Sequence, residues 1–352
     1  MSLATTRGQR WLYALAGGVL LAALAACNES FRKPSMSLPP DLAQMHTVCI
    51  GRYLVDLPVA FTPTAATYGQ LYYGLDSNFR TVNVSVPIHT GGATALDALV
   101  DARVSDLSSE FHSSSPSKTM LAASRRLDDG SRLLRVYSSG DSVKTFKSEL
   151  YVPKGQATAL FWREVYEHEN GEAIEAALLE IAQGTRAATP AAPPTRGSCL
   201  EPLVIDAGQD AEILHPSFES AKYPDVSIGI DMNSVIATGD GGLFARVQST
   251  AETVARLVGR AQTLRKDKIT IAGRPAEELL EAGKDHDKVV RGFNAETVLS
   301  APSTIAQPQI AIDMTMGGQV KDEYRDASLT EAQSLALWDA IVRSIRIRPG
   351  AI

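Results

Sequence analysis

Six histidines are the first place to look for chemistry. His46, His89, His112, His168, His215 and His286 are scattered, with no spacing that suits a metal. His168-Glu169 starts like a zinc-protease helix, but position 172 is Glu172, where such a site needs a second histidine one turn on. The pair reads as a solvated turn before a helix. Asp231-Met232-Asn233 starts like a calcium loop, yet Ile236 stands where that loop needs a glycine to turn. Asp285-His286-Asp287 reads as an exposed hairpin tip. There is no Gly-x-Ser-x-Gly elbow for an α/β-hydrolase nucleophile and no glycine motif that would cradle a phosphate. The expectation is a chain with no catalytic residue, no metal and no cofactor, and therefore not an enzyme.

Glycines cluster once, in Gly239-Asp240-Gly241-Gly242. This is either a mobile connection or a partner-contact loop, with Asp240 and Gly241 as its candidate contact residues. Asp128, Asp129, Asp322, Glu323 and Asp326 read as solvated surface. They are also able to meet a basic partner, where acidic charge speeds encounter.

The three cysteines divide into one and two. Arg7 and Arg10 precede an uncharged run from Trp11 to Ala26 that ends Leu24-Ala25-Ala26-Cys27. A basic segment, a short apolar segment and small residues before a cut describe an export signal. The run is shorter than the ~20 residues that span a bilayer core. Small residues ending at a cysteine resemble the lipobox of bacterial lipoproteins. That resemblance implies lipid on Cys27, removal of residues 1–26 and a mature chain held to a membrane by acyl chains. A plain signal peptide, or a tilted anchor with an incidental cysteine, is the alternative. Asn28 is not the aspartate associated with inner-membrane retention, which points to a periplasmic protein on the outer membrane.

Cys49 and Cys199 remain, an even pair in an oxidising compartment. They either form a disulfide or pack as two buried thiols; export favours the bond. It would close a loop worth roughly 5 kcal/mol on the chain-entropy model.

Of the 352 residues, 44% are hydrophobic and 21% charged, which are globular values. A formal net charge of -6 makes nucleic acid a poor partner, since phosphates need clustered cations. No second apolar run reaches spanning length, so the body is expected to be soluble beside its membrane.

Polar, proline-spaced residues 27–45 read as a tether. Residues 46–186 then read as a first domain. Val82, Val84 and Val86 alternate with polar residues as in a strand, and Leu96, Leu99, Val100, Val104 and Leu107 fit one face of a helix capped by Thr94. Hairpin signals follow at Asp128-Asp129-Gly130 and Pro153-Lys154-Gly155, then a helix over 172–183. Residues 187–198 (AATPAAPPTRGS) are an Ala/Pro linker. Residues 199–349 repeat the plan, with capping boxes at Ser249–Glu252 and Ser328–Glu331 and a hairpin at Gly273. The separations Cys49 to Thr94 and Cys199 to Ser249 match within a few residues, as do those between paired helix starts, which supports duplication. The fold class expected is α+β: two similar domains, each a mainly antiparallel sheet with helices packed on one face.

Cys49 to Pro58 (CIGRYLVDLP) resembles the opening of immunity proteins that neutralise lipase effectors of the bacterial type VI secretion system. Ile271 to Glu278 (IAGRPAEE), Gln309 to Met314 (QIAIDM) and Leu335 to Pro349 (LALWDAIVRSIRIRP) resemble that family's C-terminal domain. Cys199-Leu200-Glu201-Pro202 departs from it where a glycine-rich turn is expected. The resemblance implies a non-enzymatic protein that binds a cognate secreted phospholipase in the periplasm and blocks its active site. The competing reading is an envelope lipoprotein with a structural, assembly or ligand-carrying role. A hydrolase with an unfamiliar site is a third.

Overall fold

The computed structural model describes residues 38–74, 80–86, 92–188, 194–238, 242–246 and 262–351. Residues 1–26, Cys27, the tether as far as residue 37 and the pair Ser249–Glu252 lie outside the described residues.

The first half runs α1 (Pro40–Ala43), β1 (Met45–Gly51), β2 (Tyr53–Pro58), the two-residue β3 (Thr62–Pro63), β4 (Tyr68–Tyr73) and β5 (Arg80–Ser85). Helix α2 (Gly92–Ser109) leads into a meander of β6 (Leu121–Arg126), β7 (Arg132–Ser139), β8 (Ser142–Lys154) and β9 (Ala157–Val165). Helix α3 (Gly171–Gln183) and β10 (Thr185–Ala187) close it. The second half opens with β11 (Ser198–Leu200), β12 (Leu203–Ile205), β13 (Ala211–His215), β14 (Ser217–Glu219) and β15 (Val226–Asn233). After the helical residues 242–246 comes a second meander. It consists of β16 (Gln262–Ile271), β17 (Arg274–Asp285), β18 (Lys288–Thr297) and β19 (Gln309–Met316). The ribbon β20 (Gly318–Val320) and β21 (Glu323–Arg325), helix α4 (Glu331–Ser344) and β22 (Arg346–Ile347) end the chain.

One 14-stranded sheet runs β16-β17-β18-β19-β15-β13-β4-β5-β9-β8-β7-β6, with β14 and β3 paired beside it. Outward from its centre, β4-β5-β9-β8-β7-β6 repeats β13-β15-β19-β18-β17-β16. The copies join antiparallel through β4 and β13, from Tyr68 opposite His215 to Tyr72 opposite Ala211. A six-stranded sheet runs β10-β12-β11-β1-β2-β22. Here each half lends its last strand to the other: β10 pairs with β12, and β22 with β2. The duplication is therefore present as a pseudo-twofold with exchanged ends. The stretches expected as domains, 46–186 and 199–349, share both sheets, and the expected linker 187–198 begins within β10 and ends within β11.

The larger core draws on both halves. Val48, Ile50, Val55 and Leu57 pack with Ile228, Ile230 and Met314 and with Trp338 and Ile341 of α4. Helices in the first half lie on both faces of the meander, not on one as expected. Helix α3 buries Leu178 and Ile181 with Leu133, Leu150 and Phe161. Helix α2 buries Leu96, Val100 and Leu107 with Leu134, Val136 and Tyr151. Successive strand residues point to opposite faces, so Leu133-Leu134 and Leu150-Tyr151 make β7 and β8 apolar on both sides. Both sides then need cover.

Two helix starts also differ from expectation. Thr94 lies inside α2, which begins at Gly92. The last helix is capped by Thr330, whose hydroxyl accepts from Gln333 N while the Gln333 side chain accepts from Thr330 N. The Ser328–Glu331 box does not form because Asp225 already holds Ser328 N, at 2.8 Å.

Candidate partner-binding surface

The halves are fastened at the pseudo-twofold. Cys49 of β1 and Cys199 of β11 are bonded, with Cα atoms 5.5 Å apart. Arg348, fully buried, reaches both sulfurs from Nη1 and donates from Nη2 to Gly197 O at 2.5 Å. Burial, then the charges of Arg52 and Arg186, push its pKa down, while Glu212 opposes them. Glu212 is buried too and accepts from Ser198 Oγ at 2.6 Å and Gln209 Nε2 at 2.8 Å. Burial pushes its carboxyl up, against those hydrogen bonds and the charges of Arg52 and Arg348. These groups hold the frame and present nothing to a partner.

The surface that the frame presents is the sheet face opposite the larger core. Direct cross-strand partners share a face, so a single row can be followed across the molecule. Tyr151 faces Leu160, Leu160 faces Ser85, Ser85 faces Tyr68, and Tyr68 faces His215. His215 is bonded to Asp231, Asp231 faces Ala311, Ala311 faces Glu296, and Glu296 faces Glu277. Helix α2 covers the Tyr151–Leu160 end. At the other end the helical residues 242–246 are docked: Phe244 N donates to Glu277 Oε2 at 2.9 Å and Arg246 pairs with Glu296. Between these walls lies a trough floored by β5, β4, β13, β15 and β19. Five strands at about 4.8 Å spacing make it roughly 19 Å wide, and eight residues of β15 make it roughly 26 Å long.

The middle of the floor is polar and charged. His215 Nδ1 lies 2.6 Å from Asp231 Oδ1, and the Tyr68 ring lies 5.2 Å from the imidazole. The Asp231 hydrogen bond raises the His215 pKa, opposed by burial and helped by the charges of Asp231 and Asp313. Burial, then the Asp231 charge, raises the Asp313 pKa, while His215 pulls it down. Asp313 lies over Gly229, its partner across β15 and β19. A Cβ on Gly229 would meet an Asp313 carboxylate oxygen well inside contact distance, so only glycine admits this carboxylate there. Tyr68, on the floor beside His215, is 43% exposed. Among the described residues no serine, threonine or cysteine hydrogen-bonds the His215 ring. No group of three or more metal-ligating side chains occurs among them. What this row offers is a flat set of donors, acceptors and one aromatic ring.

Cys27, Asp240 and Gly241 lie outside the described residues. Asp285-His286-Asp287 is a hairpin tip, His286 and Asp287 both at positive φ, with His286 against Tyr324 at 4.0 Å. The His215–Asp231–Asp313 row was missed. Alternation in β15 gives its signal, with Ser227, Gly229, Asp231 and Asn233 on the face away from Val226, Ile228, Ile230 and Met232. Nothing in the sequence says which strands lie alongside.

Residues 191–350 match the family of Tle cognate immunity protein 4 C-terminal domains. No curated protein matches the chain. Among solved structures it is similar to the apo form of TplEi, an immunity protein of the type VI secretion system from Pseudomonas aeruginosa. Identity is 24% and the TM-score 0.62, over 90% of this chain and 100% of that one. It is also similar to the Tle4–Tli4 complex, at 23% identity and TM-score 0.62, over 88% of this chain and 100% of that one. A third similar structure is TplEi complexed with an "L" peptide, at 22% identity and TM-score 0.58. At these identities the likeness is one of fold, and it spans both interlocked halves. The family match lies in the second half of the chain, at residues 191–350, in line with the type VI immunity resemblance of its sequence.

Proposed function

We propose that the chain is an immunity protein that binds a Tle-type lipase effector and blocks it, sparing the cell its own toxin. The match of residues 191–350 to an immunity-protein domain family carries this reading. The fold likeness to immunity proteins over their whole length supports it. One of those structures is a Tle4–Tli4 complex, which makes a Tle lipase the partner to seek here. Blocking a lipase needs no chemistry from the inhibitor, only a complementary surface over the cleft that admits lipid, so the protein acts without being an enzyme. The trough floor amounts to on the order of 500 Å², against about 800 Å² per partner in a standard complex. The walls, α2 and residues 242–246, must contribute the rest. Leu24-Ala25-Ala26-Cys27 supports a lipid anchor in the periplasm, which would raise the inhibitor's local concentration at the membrane under attack.

Co-expression of the full chain with a candidate cognate Tle-type lipase tests this. A complex that survives affinity purification and gel filtration, with survival of cells that the lipase alone kills, is expected. Separate elution without protection would refute it. Fatty-acid labelling that is lost in Cys27→Ala is the expected sign of the anchor.

A further inference from the structure

The opposite face of the first-half sheet carries a cleft that the trough does not use. It holds about 590 Å³ between α3 and strands β4 and β5. Its floor is apolar, with Val82, Ile174, Ala177 and Ile181. Two groups at its side lack partners. Tyr73 Oη is buried with no hydrogen bond. The exposed side chain of Arg80, directly across from Tyr73 on β5, makes no ion pair or hydrogen bond among the described residues. The exposed carboxylate of Glu180 on α3, also on the lining, is likewise unpaired among them, whereas Arg163 is held by Glu169 at 2.6 Å. A buried hydroxyl without an acceptor is left with its desolvation cost unmet, which an acceptor on a ligand would recover.

The pseudo-twofold supplies a second observation. In the other half the space between α4 and β15 holds side chains from elsewhere in the chain, while a smaller cleft of about 300 Å³ lies between α4 and β16–β17. Leu42 and Phe61, both fully buried, pack there with Ile228, Ile230, Met232 and Ile341. These side chains come from the segments flanking β1 and β2, so a piece of chain occupies the place that stands open beside α3.

We propose that this cleft is a docking site for a short linear segment of the partner protein. The segment presents one or two apolar side chains to the floor and a carboxylate to Arg80 and Tyr73 Oη, with a donor towards Glu180. A segment has both kinds of polar group, which a simple fatty acid lacks. Length agrees: α3 lines the cleft from Asn170 to Ile181, about 17 Å at 1.5 Å per residue, the span of about five extended residues. The partner's identity rests on the immunity reading. Because the cleft and the trough face opposite ways, the segment is a flexible loop or tail that passes round the sheet.

The test uses labelled peptides tiled over the Tle-type lipase that the full chain inhibits. They are titrated against the full chain, against Arg80→Glu, and against Ala177→Trp, which fills the floor; thermal unfolding checks each variant's fold. A peptide with an acidic residue next to an apolar one should bind, and each variant should weaken it at least tenfold. Changing the peptide's acid to lysine should restore binding to Arg80→Glu. The proposal is overturned if no tiled peptide binds, if binding ignores both substitutions, or if dodecanoate saturates the cleft in place of peptide. Should any of these occur while the intact chain still inhibits the lipase, the cleft assignment falls and the immunity reading stands. If the wild-type chain inhibits no candidate Tle-type lipase, the immunity reading fails and takes this partner with it.

Discussion

Arg348 Nη1 lies 2.9 Å from Cys199 Sγ and 3.2 Å from Cys49 Sγ. The end of the chain thus plugs the bond that joins the first strand of each half. The bond spans 150 residues of sequence, for which the chain-entropy account gives about 5 kcal/mol. Cys49→Ser with Cys199→Ser should therefore lower the unfolding free energy by about 3–5 kcal/mol in urea. A loss under ~1 kcal/mol would show that sheet pairing alone already fixes the junction.

Arg348 and Glu212 form a second expectation at the same place. Both are buried, and each charge shifts the other's titration. Arg348→Met leaves the Glu212 carboxylate with less compensation and should cost about 3 kcal/mol. Adding Glu212→Gln should recover part of that loss, so the double-mutant cycle gives a clear coupling. Additive losses would mean that the two charges act separately.

Exchange of β10 and β22 between the halves predicts that neither half folds alone. Residues 46–186 lose the partner of β10, and residues 199–349 lose the partner of β22. Each expressed alone should show no cooperative unfolding transition, and mixing the two should restore one. A sharp transition in either isolated half would contradict the exchange.

His215 gives a pH dependence of known sign. Its pKa in the fold is raised above the ordinary value of 6.5, chiefly by the Asp231 hydrogen bond. The folded chain binds that proton more tightly than the unfolded chain does. The resulting stability is fully present below pH 6.5 and fades as pH rises through the folded value. The urea midpoint of wild type over His215→Gln should exceed zero most at about pH 5.5 and shrink by about pH 8.5. A gap that is constant or grows with pH would refute the pairing.

Much of the fold was legible because strand alternation and turn chemistry are local. The hairpins at Gly130 and Gly273 form where the sequence places residues able to take positive φ. Duplication was legible too, from matching separations. The exchange of β10 and β22 was not, because which strand a three-residue segment pairs with is decided by the whole sheet. The two-sided cover of β7 and β8 was written in Leu133-Leu134 and Leu150-Tyr151, but adjacent apolar residues also suit a buried helix. His215 looked like a stray histidine and Asp231 like a failed calcium loop. Three strands, β13, β15 and the distant β19, had to be set side by side before the row existed.

The central claim is that this frame inhibits a lipase by occupying it, with the trough as the contact. Titrating the activity of the candidate cognate Tle-type lipase tests it most directly. Wild-type protein should abolish activity at about one inhibitor per lipase, as a standard-sized tight complex would. The variant Tyr68→Glu with Thr315→Arg, two exposed trough positions, should need at least a tenfold excess, about 1.4 kcal/mol of lost affinity. Full lipase activity in excess wild-type protein, with no complex on gel filtration, would contradict the account.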